Sequence, residues 1–273
     1  MITRSIDDDK FARVCEHFGF LVERIHKEQG ELDLRLRDNY FNLYYKGNSL
    51  AKVRVGRIPY QIEINKAFAA KVIDNARFGT PLTQGDYFVY KVAPKALPAF
   101  LSKAVIDRLY RQIKLRNYCE ELIFEQLLIA DNRNRHDLVF IDRQITGGPL
   151  GRARIDLLAL RQTEKPNEFR FEVVEVKLGN NPELKGVVAD QMQGYVDLME
   201  KHFDDFKTCY ERTYRQMRSM ELLKEPDLPT IDIVLPVKGV IVVGGYPGLA
   251  RKAQEELILK HPSLSLKSIS YQI

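Results

Sequence analysis

The chain has 273 residues, 45% hydrophobic and 29% charged, with a net charge of +5. That is enough for one large domain or two small ones with a proper core, and no apolar run is long enough to span a bilayer, so a membrane protein is not expected. The charge excess is mild: it permits a polyanionic partner without requiring one.

The opening MITRSIDDDK is acidic and has no apolar stretch, so no secretory signal is expected. Cys15, Cys119 and Cys209 lack metal-ligand spacing, which suits a reducing, cytoplasmic setting. From about 7 to 28, Phe11, Val14, Cys15, Phe18, Leu21, Val22 and Ile25 recur at helical spacing. The period then shortens to two in ELDLRLRD, NYFNLYYKGN, SLAKVRVG and PYQIEINKA, with turn residues at Asp38-Asn39 and Gly47-Asn48. This predicts an antiparallel meander with one wet face. That face would carry Arg35, Arg37, Lys46, Lys52 and Arg54, with Tyr40, Tyr44 and Tyr45 interleaved. It suits phosphate tracking and base stacking. A solvated sheet face with aromatic cross-strand pairs explains it equally well. Helix and meander together predict a smaller N-terminal domain over 1–95.

From Pro94 the text turns helical, as one broken helix or two packed helices ending near Asn132. HDLVFIDRQIT (136–146), RARIDLLALR (152–161) and EFRFEVVEVKLG (168–179) read as strands, the first two joined by the tight turn TGGPLG. A long helical stretch follows Pro182, and the part around 196–224 reads as an inserted arm. Arg212, Arg215 and Arg218 share one face of it, a second candidate basic stripe. KGVIVVGG (238–245) is a strand buried on both sides, PGLARKAQEELILKHP a helix and LKSISYQI a final strand. This order predicts a mixed central sheet flanked by helices over 96–273, an α/β (α+β) class.

FEVVEVKLG (171–179) sets Glu175 and Lys177 on one face of a strand otherwise made of Val and Phe, because side chains at i and i+2 point the same way. Glu172 falls on the other face. Taken alone, the pair reads most simply as a satisfied salt bridge, since buried charges are normally paired. Asp156 changes the balance. It sits inside the apolar IDLLAL, where an idle carboxylate is costly. Two close carboxylates repel unless a cation lies between them. Mg²⁺ suits such a place, binding through one or two carboxylates plus water and phosphate oxygens. A lysine beside it can orient or deprotonate an attacking water. GGYPG (244–248) lacks dinucleotide or Walker spacing, so no nucleotide cofactor is expected. His17, His26, His136, His202 and His261 show no ligand spacing.

Asp156 followed by Glu175-Val176-Lys177 resembles the PD-(D/E)xK nuclease superfamily, in which an acidic residue on one strand precedes (D/E)-x-K on the next. The nearest patterns are the NucS-type and RecB-type nuclease domains. RIDLLAL (154–160) is similar to their Asp-bearing strand and VVEVKLG (173–179) to their E-x-K strand. ADQMQGYVDLM (189–199) looks like the following helix, with Gln191 and Tyr195 as its Q-x-x-x-Y. CEELIFEQLL offers both Glu121 and Glu125 for the helix glutamate. The proline before the aspartate is replaced by Arg154-Ile155, and the resemblance covers about 115–273.

The resemblance implies a restriction-endonuclease-like sheet and Mg²⁺- or Mn²⁺-dependent hydrolysis of phosphodiester bonds, in DNA rather than RNA. Asp156 and Glu175 would bind the metal, with the carbonyl of Val176 as a further ligand. Lys177 would position water, and Gln191 with Glu121 or Glu125 would complete the site. Tyr195 would lie beside the substrate or against the sheet. The N-terminal meander, through Arg35, Arg37, Lys46 and Arg54, would hold the nucleic acid or a partner protein, and a homodimer is left open. The contrasting class is a catalytically inert nucleic-acid-binding or protein-interaction module of a DNA repair or phage defence complex. Retention of two carboxylates and a lysine together argues for the enzyme.

Overall fold

A computed structural model describes residues 2–116, 119–151 and 153–269. The chain forms two compact units, one of Thr3–Leu122 with Gln216–Leu223, the other of Ile123–Arg215 and the chain from Lys224 on, with Ile2.

In the N-terminal unit, helix α1 (Asp8–Lys27) buries Val14, Phe18, Leu21 and Ile25, one stripe at helical spacing. Strands β1 (Leu32–Arg37), β2 (Tyr40–Tyr45), β3 (Asn48–Arg54) and β4 (Tyr60–Asn65) follow as the expected meander. Two single-turn helices, α2 (Lys66–Ala69) and α3 (Asn75–Phe78), precede the hairpin β5 (Leu82–Gln84) and β6 (Tyr87–Val92). All pairings in this six-stranded sheet are antiparallel, in the order β1-β2-β3-β4-β6-β5. Gly47 closes the β2–β3 turn at φ +77°, and a Cβ there would lie 2.5 Å from the Leu122 carbonyl oxygen, so only glycine fits.

Two expectations are corrected here. First, the unit does not end near residue 95. Helices α4 (Leu97–Phe100) and α5 (Lys103–Arg116) belong to it. Helix α5 buries Val105, Ile106, Leu109, Tyr110 and Ile113, and Tyr110 stacks on Tyr45 with ring centroids 3.7 Å apart. A helical pattern tells that one face is covered, not which sheet covers it. Second, the meander has no continuous wet face at β1, which is buried at every position. Arg35 and Arg37 are only 3% and 2% exposed. Arg35 pairs with Asp33 at 2.8 Å, and Arg37 donates to the Leu36 carbonyl and the Tyr44 hydroxyl. Tyr44 and Tyr45 are buried as well.

In the second unit, helix α6 (Glu120–Asp131), whose first turn lies in the N-terminal unit, leads to β7 (Leu138–Thr146), β8 (Arg154–Gln162) and β9 (Glu168–Leu178). Helices α7 (Val187–Lys201) and α8 (Phe203–Ser219), whose last turn from Gln216 belongs to the N-terminal unit, strand β10 (Asp232–Gly244), helix α9 (Pro247–Lys260) and strand β11 (Ser265–Ile269) complete it. The expected last strand runs on beyond 269, outside the described residues. The sheet order is β11-β10-β9-β8-β7. Strands β7, β8 and β9 pair antiparallel, whereas β9–β10 and β10–β11 are parallel. On one face Leu157, Ala159, Val174, Val176, Val240 and Val242 pack with Ile129, Phe124 and Leu128 of α6. Helix α7 covers the other face so closely that a Cβ on Gly239 would lie 2.6 Å from Met192. The protein is therefore α+β, with one antiparallel sheet and one mixed sheet flanked by helices.

The stretch expected as a long arm breaks at His202 into α7 and α8. Helix α8 is no free arm: Phe206, Cys209, Tyr210, Thr213, Tyr214, Gln216 and Met217 are buried. Arg215 is exposed, but Arg212 and Arg218 are half-buried, and Arg218 donates to the Leu223 carbonyl. Among the described residues no helix is long and apolar enough to cross a membrane.

Candidate active site

The second unit's sheet forks at one register pair. Strands β8 and β9 are paired from Gln162↔Phe169 to Leu157↔Val174. The next pair in that register would be Asp156 with Glu175, and there the ladder stops. The Asp156 carboxylate takes the strand's place and accepts the Val176 N–H at 3.2 Å. Beyond this point β8 stays with β7 through Ile145↔Ile155 and Thr146↔Arg154, while β9 stays with β10 through Lys177↔Val243. Each arm of the fork thus carries a carboxylate. Leu157 and Val174 face the core on the α6 side, so the pleat turns Asp156, Glu175 and Lys177 to the α7 side.

All three are buried: Asp156 is 7% exposed, Glu175 3% and Lys177 9%. The Lys177 ammonium lies 3.1 Å from Glu175 Oε1 and 2.7 Å from Glu183 Oε2. Gln191 on α7 donates to the same Glu175 oxygen at 3.4 Å and lies 2.5 Å from the Tyr195 hydroxyl. Tyr195 in turn donates to the Arg154 carbonyl at 2.8 Å. The Q-x-x-x-Y spacing therefore has a structural meaning: one helical turn links the β9 glutamate to the start of β8. The other oxygen, Glu175 Oε2, is buried without a hydrogen-bond partner among the described residues. Such a group is expensive unless something meets it.

The electrostatics point the same way. Burial pushes the Glu175 carboxyl up, and Asp156 and then Glu125 add to this, while Lys177 pulls it back. Burial raises the Glu125 carboxyl to about 7; Arg143 opposes this and Asp156 reinforces it. Burial works to lower the Lys177 ammonium, but Glu183 and Glu175 override it and hold it above the usual lysine range. Three carboxyl groups thus sense one another.

Of the two helix glutamates, Glu125 is the one in this field. It is 2% exposed and accepts from Arg143 at 3.0 Å and from Gln144 at 2.9 and 2.8 Å. Arg143 is fully buried and also donates to Gln126 at 2.5 Å. Gln144 sits at φ +50° in mid-strand, beyond the irregularity between Phe140 and Asp142, a left-handed backbone that a non-glycine residue rarely adopts. Glu121, one turn earlier, falls in the N-terminal unit. Val176 meets Asp156 through its N–H. Glu172 lies apart on the opposite face, paired with Arg161, which also holds Asp137. Lys46 is half-buried at the β2–β3 turn, and exposed Arg54 pairs with Glu63.

The sequence reading missed Glu183, Arg143 and Gln144. A signal existed for the first: Asn181-Pro182 directly after the E-x-K strand marks a turn that folds the next residues back.

Among the described residues no group of three or more His, Cys, Asp or Glu is arranged to hold a metal ion. The two carboxylates of the fork suffice for Mg²⁺, whose remaining positions are ordinarily water and phosphate oxygens. The unpartnered Glu175 Oε2 and the two glutamates raised by Asp156 fit a cation at that point. Comparison with protein-family models, with curated proteins and with solved structures found no match.

Proposed function

We propose that the protein is a Mg²⁺- or Mn²⁺-dependent nuclease of PD-(D/E)xK type that hydrolyses phosphodiester bonds of DNA. The fork carries this reading: Asp156 and Glu175 occupy one register position where the ladder stops, with Lys177 on the same pleat 3.1 Å from Glu175. The sheet supports it further, since three antiparallel strands followed by two parallel ones, with α6 and α7 on opposite faces, agree with a restriction-endonuclease-like core.

In this reading Asp156 and Glu175 hold the metal, with the Val176 carbonyl as a further ligand. A bound ion would polarise a phosphoryl oxygen and lower the pKa of its water. Lys177 orients the attacking water and balances charge developing on the phosphate. Gln191 and Tyr195 fix Glu175 in place. Glu125, braced by Arg143 and Gln144, adds negative potential that favours the cation. The free thiols of Cys15, Cys119 and Cys209 suit a reducing cytoplasm.

One observation favours a second reading. Lys177 is tied between two carboxylates, which suits an inert module that binds nucleic acid or protein in a repair or defence complex. Single-stranded, duplex and branched DNA incubated with Mg²⁺, Mn²⁺ or EDTA separates the two. The nuclease cleaves only with metal, and Asp156→Ala and Lys177→Ala each slow it by roughly 10² or more. Cleavage that survives either substitution or ignores EDTA defeats the mechanism, and no cleavage of any substrate leaves the inert module.

A further inference from the structure

Lys177 has a partner that the proposed chemistry does not require. Past β9 the chain turns through Asn181 into a 3-10 turn, Pro182–Lys185. The Asn181 N–H bonds to the Leu178 carbonyl at 2.9 Å, and its side-chain oxygen accepts the Glu183 N–H at 3.0 Å. Leu184 is buried next to it. This brace returns Glu183 to the strand end, where its Oε2 lies 2.7 Å from the ammonium. The Glu183 side chain as a whole is 43% exposed, yet Oε2 itself is buried. The ammonium therefore lies between a carboxylate fixed in a strand and one on a half-exposed side chain. Glu175 is 3% exposed and held by Lys177 and Gln191, so it has no solvent to turn into. Glu183 can rotate into water, which solvates it again.

A lysine ammonium donates to carboxylate and phosphate oxygens as alternative charge-assisted partners. A phosphate coming from solvent meets Glu183 already on Lys177. We propose that Glu183 stands in for the substrate's phosphate on Lys177 and must be displaced by it, so that it sets the affinity of the site and rejects ligands too small to offset its loss. An extended polynucleotide, with several backbone contacts, displaces it; a lone phosphate does not. The proposal rests on the nuclease reading for the role of Lys177, but binding alone tests it.

The test is fluorescence anisotropy with short single-stranded and duplex oligonucleotides in EDTA, with inorganic phosphate as competitor. Glu183→Gln keeps the size of the side chain and leaves the turn's backbone bond intact; Glu183→Ala is the second variant should it fold poorly. The expected result is roughly 3- to 30-fold tighter oligonucleotide binding and the appearance of phosphate competition. The gain disappears in the Lys177→Met background, which a general loss of negative charge would not explain. Glu164→Gln, exposed at the far end of the β8–β9 hairpin, changes binding by less than about twofold. Equal gains with and without Lys177, no gain, or no binding by any variant would overturn the proposal. Metal-dependent cleavage by the wild type without tightening in Glu183→Gln sinks this inference alone. Tightening without cleavage sinks the nuclease reading and keeps the anion site.

Discussion

Both sheets bury charge on a strand, and they do it differently. In β1 of the N-terminal unit Asp33 and Arg35 are opposite in sign and meet at 2.8 Å, and Arg37 finds a carbonyl and a hydroxyl. At the fork of the second unit three carboxyl groups, Asp156, Glu175 and Glu125, gather around two buried cations, Lys177 and Arg143; Asp156 pushes both glutamates up, and one Glu175 oxygen has no hydrogen-bond partner among the described residues. Matched buried charge is a structural device. An excess of buried charge of one sign costs stability, and a chain that keeps it suggests a ligand for it.

The sharpest way to break this comparison is to neutralise each region. Glu175→Gln should lower metal-dependent cleavage by roughly 10² or more, because it removes a proposed ligand, yet should not lower the melting temperature in EDTA, because it relieves repulsion. Arg35→Met should do the reverse. It takes the Arg35 cation away from buried Asp33, at a cost of roughly 3–5 kcal/mol in denaturant unfolding, with cleavage intact wherever the protein is folded.

Next in size is a dependence on pH. Glu125 is an acid whose folded pKa, about 7, lies above its ordinary value of 4.5. The folded state keeps a proton that the unfolded chain releases. Its contribution is therefore full below 4.5 and lost as pH rises through about 7. Glu175 shifts in the same direction. Urea unfolding in EDTA should give up to about 3 kcal/mol less stability at pH 8 than at pH 5 from Glu125. Glu125→Gln should flatten that slope, and an unchanged slope would remove Glu125 from the field.

Gln191→Ala should cost less, roughly tenfold in cleavage, because it loosens Glu175 without removing a ligand. Smallest is Arg54→Ala, whose guanidinium already faces Glu63; oligonucleotide binding should weaken less than about twofold. A large loss there would restore the meander as a nucleic-acid surface.

The site strands could be read from the sequence because their information is local. The i, i+2 pleat put Glu175 with Lys177 and set Glu172 apart, and one helical turn joined Gln191 to Tyr195. What failed depended on neighbours in space. LDLRLR alternates as a wet strand would, yet both its faces are buried. Nothing local distinguishes a covered arginine from a solvated one. The helices from Leu97 to Arg116 announce a buried stripe without naming the sheet it meets. Gln144 reaches Glu125 through a left-handed residue near a strand irregularity, and Glu183 reaches Lys177 through a turn. Neither leaves a periodic trace.

The most direct measurement is cleavage of end-labelled DNA by wild type and Glu175→Gln, side by side, with Mn²⁺ and with EDTA, each at a temperature where circular dichroism shows it folded. The expected result is products from the wild type with Mn²⁺ alone and none from a variant that melts no lower. Equal cleavage by the two proteins, or products in EDTA, would contradict it.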